Sequence, residues 1–150
     1  MVDVQLDKIN NIILNYLVFI EPISSEIPSS KLHYMIQKRL SDLAEDYGLI
    51  GQMEYKLPNY YPTGRNGFID VMWFDHASPL VAIEVDSCWR KKSLKKLVDS
   101  KVDKKIWVLY GKKIREESKT EQDPDNTVLI IHRPLERKRH RKNGRGSVND

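Results

Sequence analysis

Asp70, Glu84 and Asp86 are the side chains in this chain whose type and spacing could do chemistry. They interrupt two segments, 68–75 and 80–86, that otherwise read as apolar strand. Side chains alternate along a strand. Phe68, Asp70, Met72 and Phe74 are therefore expected on one face, and Leu80, Ala82, Glu84 and Asp86 on the matching face of the next strand. Ile69, Val71 and Trp73, with Val81, Ile83 and Val85, fall on the opposite faces and must be core. An ionised carboxylate in such a setting is costly unless it is paired, hydrogen-bonded or bound to a metal. Exposure at strand ends, or pairing with nearby lysines, would answer that cost simply. A hard divalent ion such as Mg²⁺ would answer it with chemistry. It takes oxygen ligands, keeps waters for a phosphate substrate, and lowers the pKa of a bound water.

The elements that must position these acids can be read from periodicity. Residues 3–18 form a helical stripe through Leu6, Ile9, Ile13 and Leu17. Residues 21–30, with Pro22, Pro28 and four serines, read as a linker. A second helix is expected over 31–47, with Leu32, Ile36, Leu40, Leu43 and Tyr47 inward and Gly48 as its stop. Residues 52–57, 68–75 and 80–86 then make a tight antiparallel meander. A helix over 91–102 and a doubly buried strand over 106–110 follow. The segment 112–126 is polar and partly helical, and a last strand spans 127–131. The crossover helix makes its strand parallel to its neighbour. The expected fold is thus α/β: a mixed sheet, antiparallel meander plus parallel strand, flanked by helices. It forms one domain over 1–134, with a core at about 31–110, and a basic tail without fixed structure over 135–150.

This order, with Ile69-Asp70 on one strand and Glu84-Val85-Asp86 on the next, resembles the PD-(D/E)XK nuclease superfamily with the restriction-endonuclease-like fold. The resemblance covers roughly residues 31–110. It implies a Mg²⁺- or Mn²⁺-dependent nuclease acting on phosphodiester bonds, of DNA more often than RNA. In the family, the acids matching Asp70 and Glu84 hold the ion with the carbonyl of the residue matching Val85. The third residue there is usually lysine, and here it is Asp86, which implies a further ligand or a general base. In some members the lysine sits on the following helix, where Lys91, Lys92 and Lys95 are the candidates. Some members add an acid from the first helix or strand, and Glu54 suits that role better than Glu45. Nucleases of this fold often act as dimers, so a homodimer is an open expectation. The alternative is a non-catalytic nucleic-acid-binding protein that keeps the fold.

Charge distribution supports a polyanionic partner. The formal charge is +4, and residues 90–105 carry eight Lys or Arg against Asp99 and Asp103. Residues 133–145 carry seven against Glu136. Arg65, Arg90, Lys91, Lys92 and Lys95, and Arg137, Lys138 and Arg139 of the tail, are the expected phosphate contacts. Tyr60 and Tyr61 beside Arg65 could stack on bases or cover a sheet edge. His33 and Gln37 could face the acids, although ordinary helix surface explains them as well. Hydrophobic residues are 40% of the chain, enough for a packed core, and no apolar run reaches the ~20 residues that span a bilayer. Cys88 is the single cysteine, which rules out an intrachain disulfide and points to a reducing, cytoplasmic setting. Cys88 is expected to be buried rather than nucleophilic. No Gly-rich phosphate loop is present, which argues against a nucleotide hydrolase or dinucleotide enzyme.

Overall fold

The computed structural model describes residues 4–137. Two helices, α1 (Leu6–Ser24) and α2 (Ser29–Leu43), lead through a 3-10 turn at Ala44–Tyr47 into β1 (Ile50–Leu57). The chain continues through β2 (Gly67–Asp75), β3 (Ser78–Asp86), α3 (Lys91–Asp99), β4 (Lys104–Leu109), α4 (Glu116–Gln122) and β5 (Val128–His132). The five strands form one sheet in sequence order. β1, β2 and β3 are antiparallel, while β4 and β5 add in parallel, each after a crossover carrying a helix. This is the mixed α/β sheet that periodicity predicts.

The sheet lies between two apolar layers. On one face Ile9, Ile13, Leu17 and Ile20 of α1 and Leu32, Ile36, Leu40 and Leu43 of α2 pack on Val71, Trp73, Val81, Ile83, Val85, Ile106 and Val108. On the other, Leu94 and Leu97 of α3 pack on Met72, Ala82, Trp107 and Leu109, with α4 beside α3. β4 supplies alternate residues to both layers, which is why it reads as an unbroken apolar run. Trp73 closes its indole N–H onto the Leu40 carbonyl at 2.9 Å, so β2 is tied to α2 by more than burial. Gly51 lets α2 approach β1: a Cβ there would collide with the Ser41 carbonyl oxygen. Among the described residues no helix is long and apolar enough to cross a membrane.

Several boundaries differ from those that periodicity predicts: α2 gives way to the 3-10 turn after Leu43, and β1 and β4 each begin two residues early. Three other differences have a clear local reason. α1 runs through Pro22 to Ser24. Proline's φ is helical and the ring forfeits one bond, to the carbonyl of Val18 on an exposed stripe, while buried Ile20 and Ser24 hold the last turn down. β3 starts at Ser78, and its Pro79 is tolerated because the β2 register shifts at Trp73/Phe74 and β4 pairing begins only at Val81. α3 stops at Asp99, where Ser100 turns extended and donates its hydroxyl to the Leu97 carbonyl at 2.8 Å. The packed chain also runs past 134: Leu135 is buried in the first layer. Arg137 donates to the carbonyls of Ser24 and Ile27 and to the Ser29 hydroxyl. The remainder of the expected tail, with Lys138 and Arg139, lies outside the described residues.

Asp123 organises the turn into β5. Its carboxylate accepts the Thr127 amide and hydroxyl, the Val128 amide and the Lys119 ammonium, all within 2.9 Å. Burial works against its charge, but these donors outweigh it and hold the group down at about 2. Replacement by Ala should cost roughly 3 kcal/mol, since it strands buried donors. A carboxylate with a depressed folded pKa stabilises above its unfolded value and loses that contribution as pH falls toward about 2. The difference in urea midpoint between wild type and Asp123→Ala should therefore be full at neutral pH and shrink in acid.

Candidate functional site

β2 and β3 pair as far as Val71↔Ile83 and no further. Beyond that point β3 stays with β4, through Glu84↔Trp107, Val85↔Val108 and Asp86↔Leu109. The two strands therefore part at Asp70 and Glu84. On the other side of β2, the ladder passes from Met53↔Val71 to Tyr55↔Ile69 without a bridge between Glu54 and Asp70. Glu54 carries a positive φ of 53° there, a strained conformation for a side chain of its size. Strict alternation fails at this step. Val71 and Trp73 face α1 and α2, whereas Ile69 joins Met72 on the α3 side. The expected grouping of Ile69 with Val71 and Trp73 is thus corrected: β2 rolls over at Asp70.

The acids fill the gap left by the ladder. Asp70 donates its N–H to Glu84 Oε2 at 2.8 Å. Val85 donates its N–H to Asp70 Oδ2 at 2.8 Å. Each carboxylate thus binds the backbone of the other acid's strand. Gln37, buried on α2, donates to the Asp70 carbonyl at 2.8 Å and to Glu54 Oε2 at 2.6 Å. Beside them lies a cleft of about 460 Å³ lined by Asp70, Glu84, Asp86, His33, Lys96 and Tyr61, among others.

Each cleft acid meets a basic side chain. Lys96 Nζ lies 3.0 Å from Glu84 Oε1 and donates to the Phe68 carbonyl at 2.7 Å. Arg90 Nε is 3.2 Å from Asp86 Oδ1, and Trp107 donates its indole N–H to Asp86 Oδ2 at 2.8 Å. His33 Nε2 is 3.7 Å from Asp70 Oδ1. Burial, then the Asp70 charge, pushes Glu84 up to about 8 against the pull of Lys96. Burial also raises Asp86, against hydrogen bonds from Ser93 and Trp107. Hydrogen bonding to Asp70 raises His33. Burial opposes the charge on Lys96, yet Glu84 raises it above the ordinary value. The two short contacts of Nζ favour a charged ammonium beside a carboxyl that ionises only above its usual range.

The expected site residues divide accordingly. Asp70, Glu84, Asp86, Arg90 and Lys92 line the cleft. Val85 is wholly buried in side chain, and its backbone lies at the fork. Glu54 sits next to the cleft, on Gln37. Lys95 is committed to Asp99 at 2.8 Å, and Lys91 is exposed. Arg65 stands over the Tyr61 ring. Arg137 is engaged on the α1–α2 linker. Cys88, expected inside, is exposed on the bend after β3. Lys96 is the residue that strand spacing does not reveal. Its signal lies in the helix: it follows Ser93 by three residues and stands beside Leu97 on the inward side of α3.

Asp70 and Glu84 are hard oxygen donors that line the cleft, the type of ligand a divalent ion takes, but Glu84 Oε1 is already met by Lys96 and Asp70 Oδ1 faces His33. Among the described residues no group of three His, Cys, Asp or Glu has metal-holding geometry. Mg²⁺, which keeps several waters, needs only one or two carboxylates. No family model, no curated protein and no solved structure matches this chain. The function of the cleft therefore has to come from its own geometry.

Lys96→Met should leave Glu84 buried without a cation. An acid whose folded pKa is raised loses stability as pH climbs from its unfolded value toward its folded one. The variant should thus be destabilised by about 3 kcal/mol at alkaline pH and much less near pH 5, where Glu84 keeps its proton. Thermal melts across that range check it, and Glu84→Gln in the same background should restore much of the alkaline loss.

Proposed function

We propose that this chain is a metal-dependent nuclease, a divergent member of the PD-(D/E)XK superfamily with the restriction-endonuclease-like fold, hydrolysing phosphodiester bonds of DNA. One observation carries this reading. Asp70 and Glu84 cross-link the fork between β2 and β3, both line the cleft, and Lys96 stands 3.0 Å from Glu84. Mg²⁺ or Mn²⁺ would be held by these two carboxylates with the Val85 carbonyl, and when bound would supply a Lewis acid and an acidified water.

The chain's own groups have separate tasks. Asp70 and Glu84 are each fixed at one oxygen by a backbone N–H of the opposite strand. Lys96 takes the place of the lysine that the E-x-D sequence lacks, and its ammonium can stabilise charge gathering on a phosphate oxygen. Asp86 is held at both oxygens by Arg90 and Trp107, which favours a positioning role over that of a third ligand. Arg90 and Lys92 border the cleft and can hold the phosphates of the strand.

A second reading has its own support. Glu84, Asp86 and Asp70 each meet a basic group of the protein, so each has a partner without an ion. That favours a binder that keeps the fold without catalysis. It predicts no cleavage with any divalent ion and unchanged DNA affinity on replacing the acids.

Incubation with single-stranded, duplex and branched DNA in Mg²⁺ or Mn²⁺ separates the two. Cleavage should fall to background in Asp70→Ala and Glu84→Ala, and by about 100-fold in Lys96→Ala. Cleavage that survives both acid substitutions would remove the assignment. The Glu84 proton must leave before an ion can share its carboxylate. Mn²⁺ affinity, followed by electron paramagnetic resonance, should therefore rise with pH to about 8 and then level. A pH-independent affinity would exclude Glu84 as a ligand.

A further inference from the structure

The loop between β1 and β2 forms one wall of the cleft, and its side chains are arranged differently from those behind it. Tyr60 and Tyr61 meet edge to face with ring centroids 5.0 Å apart. Arg65 stands over the Tyr61 ring at 5.4 Å and Lys92 of α3 at 5.7 Å. Among the described residues neither Arg65 nor Lys92 makes an ion pair with a carboxylate. Lys95, Lys96 and Arg90 each do, with Asp99, Glu84 and Asp86. Lys95 over the Tyr60 ring is thus neutralised by Asp99, whereas the two cations over Tyr61 have no carboxylate partner among the described residues and keep their charge available to an anion.

The loop is also preformed. Tyr60 donates its hydroxyl to Asp99 Oδ2 at 2.7 Å, which fixes the loop to α3. The Tyr61 amide donates to the Arg65 carbonyl at 3.0 Å, and Gly64 returns to the Tyr61 carbonyl at 2.8 Å with a φ of 86°. A Cβ at Gly67 would press on the Tyr60 ring at 3.1 Å. A half-buried aromatic pair on so constrained a loop loses little freedom when a ligand arrives.

We infer that Tyr61, Arg65 and Lys92 form a docking ledge for an unpaired nucleic-acid strand, with a base on Tyr61 and the adjoining phosphates on Arg65 and Lys92. A base can stack on a side chain only when it is out of its own duplex. The ledge opens onto the same cleft as Asp70 and Glu84. The favoured substrate is therefore DNA with a single-stranded segment at the reacting phosphate, such as a free strand, a flap or a frayed end. This choice rests on the nuclease reading for its consequence, but the binding does not depend on cleavage.

The test measures binding of the full chain in chelator, by fluorescence anisotropy with a labelled oligo(dT) strand of about 20 nucleotides and a blunt duplex of equal length. The single strand should bind at least about tenfold more tightly than the duplex. Tyr61→Ala should weaken single-strand binding about tenfold. Tyr61→Phe should retain it, which separates stacking from a folding defect. Arg65→Ala and Lys92→Ala should each lower the salt dependence by about one ion. Equal affinity for strand and duplex, or an unchanged affinity in Tyr61→Ala, would overturn the ledge. Loss of strand binding in Tyr61→Ala without cleavage by wild type in any divalent ion would sustain the ledge and sink the nuclease reading. Cleavage that needs Asp70 and Glu84 while Tyr61→Ala binds normally would do the reverse.

Discussion

The backbone of Asp70 is the constraint on which the site depends. A buried strand residue needs partners for its N–H and its carbonyl, and sheet ladders normally supply them. At Asp70 both ladders fail, because β3 has left for β4 and Glu54 is strained out of register. Side chains supply the partners instead: Glu84 takes the N–H and Gln37 reaches the carbonyl. Asp70 in turn satisfies the Val85 amide. The acids are thus part of the sheet's own hydrogen bonding at the point where the sheet opens. A carboxylate fixed by backbone donors on rigid strands is held far more closely than one on a loop.

The layers on either side keep that opening from closing. α2 presses on the sheet through Leu32, Ile36 and Leu40, and the same helix aims Gln37 and His33 at the fork. α3 presses from the other face through Leu94 and Leu97, and carries Lys96 and Ser93 to the cleft. Each helix therefore joins a core stripe to a polar stripe offset by one position. Any shift of α3 relative to β3 would move Lys96 from Glu84 as surely as it would unpack Leu97.

Sequence periodicity made the sheet legible because apolar spacing dictates which faces are buried. It also placed Asp70, Glu84 and Asp86 together, since an acid that interrupts a buried strand must find a donor, a cation or water nearby. It failed where alternation failed. The roll of β2 at Asp70 depends on a positive φ at Glu54 and on a side-chain amide thirty-three residues away from Asp70, neither of which leaves a mark in spacing. Lys96 was missed because four lysines crowd one short helix, and charge alone does not say which is drawn inward. Its neighbours Ser93 and Leu97 do, once the helix is phased by its buried residues. Arg137 looked like part of a basic tail, yet three of its nitrogens are spent on the α1–α2 linker. Composition counts charges and cannot count partners.

The balance of charge in the cleft frames its chemistry. Asp86 is held by Arg90 and Trp107 at its two oxygens, so swinging away would strand the buried Trp107 indole N–H and give up the ion pair with the exposed Arg90. Glu84 is different: one oxygen is committed to the Asp70 amide and the other to a lysine at the end of a flexible stem. The Lys96 contact is therefore the adjustable one, because the lysine stem can move while the strands cannot. The Asp70–Glu84 backbone bonds are fixed by comparison, since breaking either would leave an N–H at the fork without its acceptor. On the metal-dependent reading proposed above, Lys96 rather than either acid would have to give way.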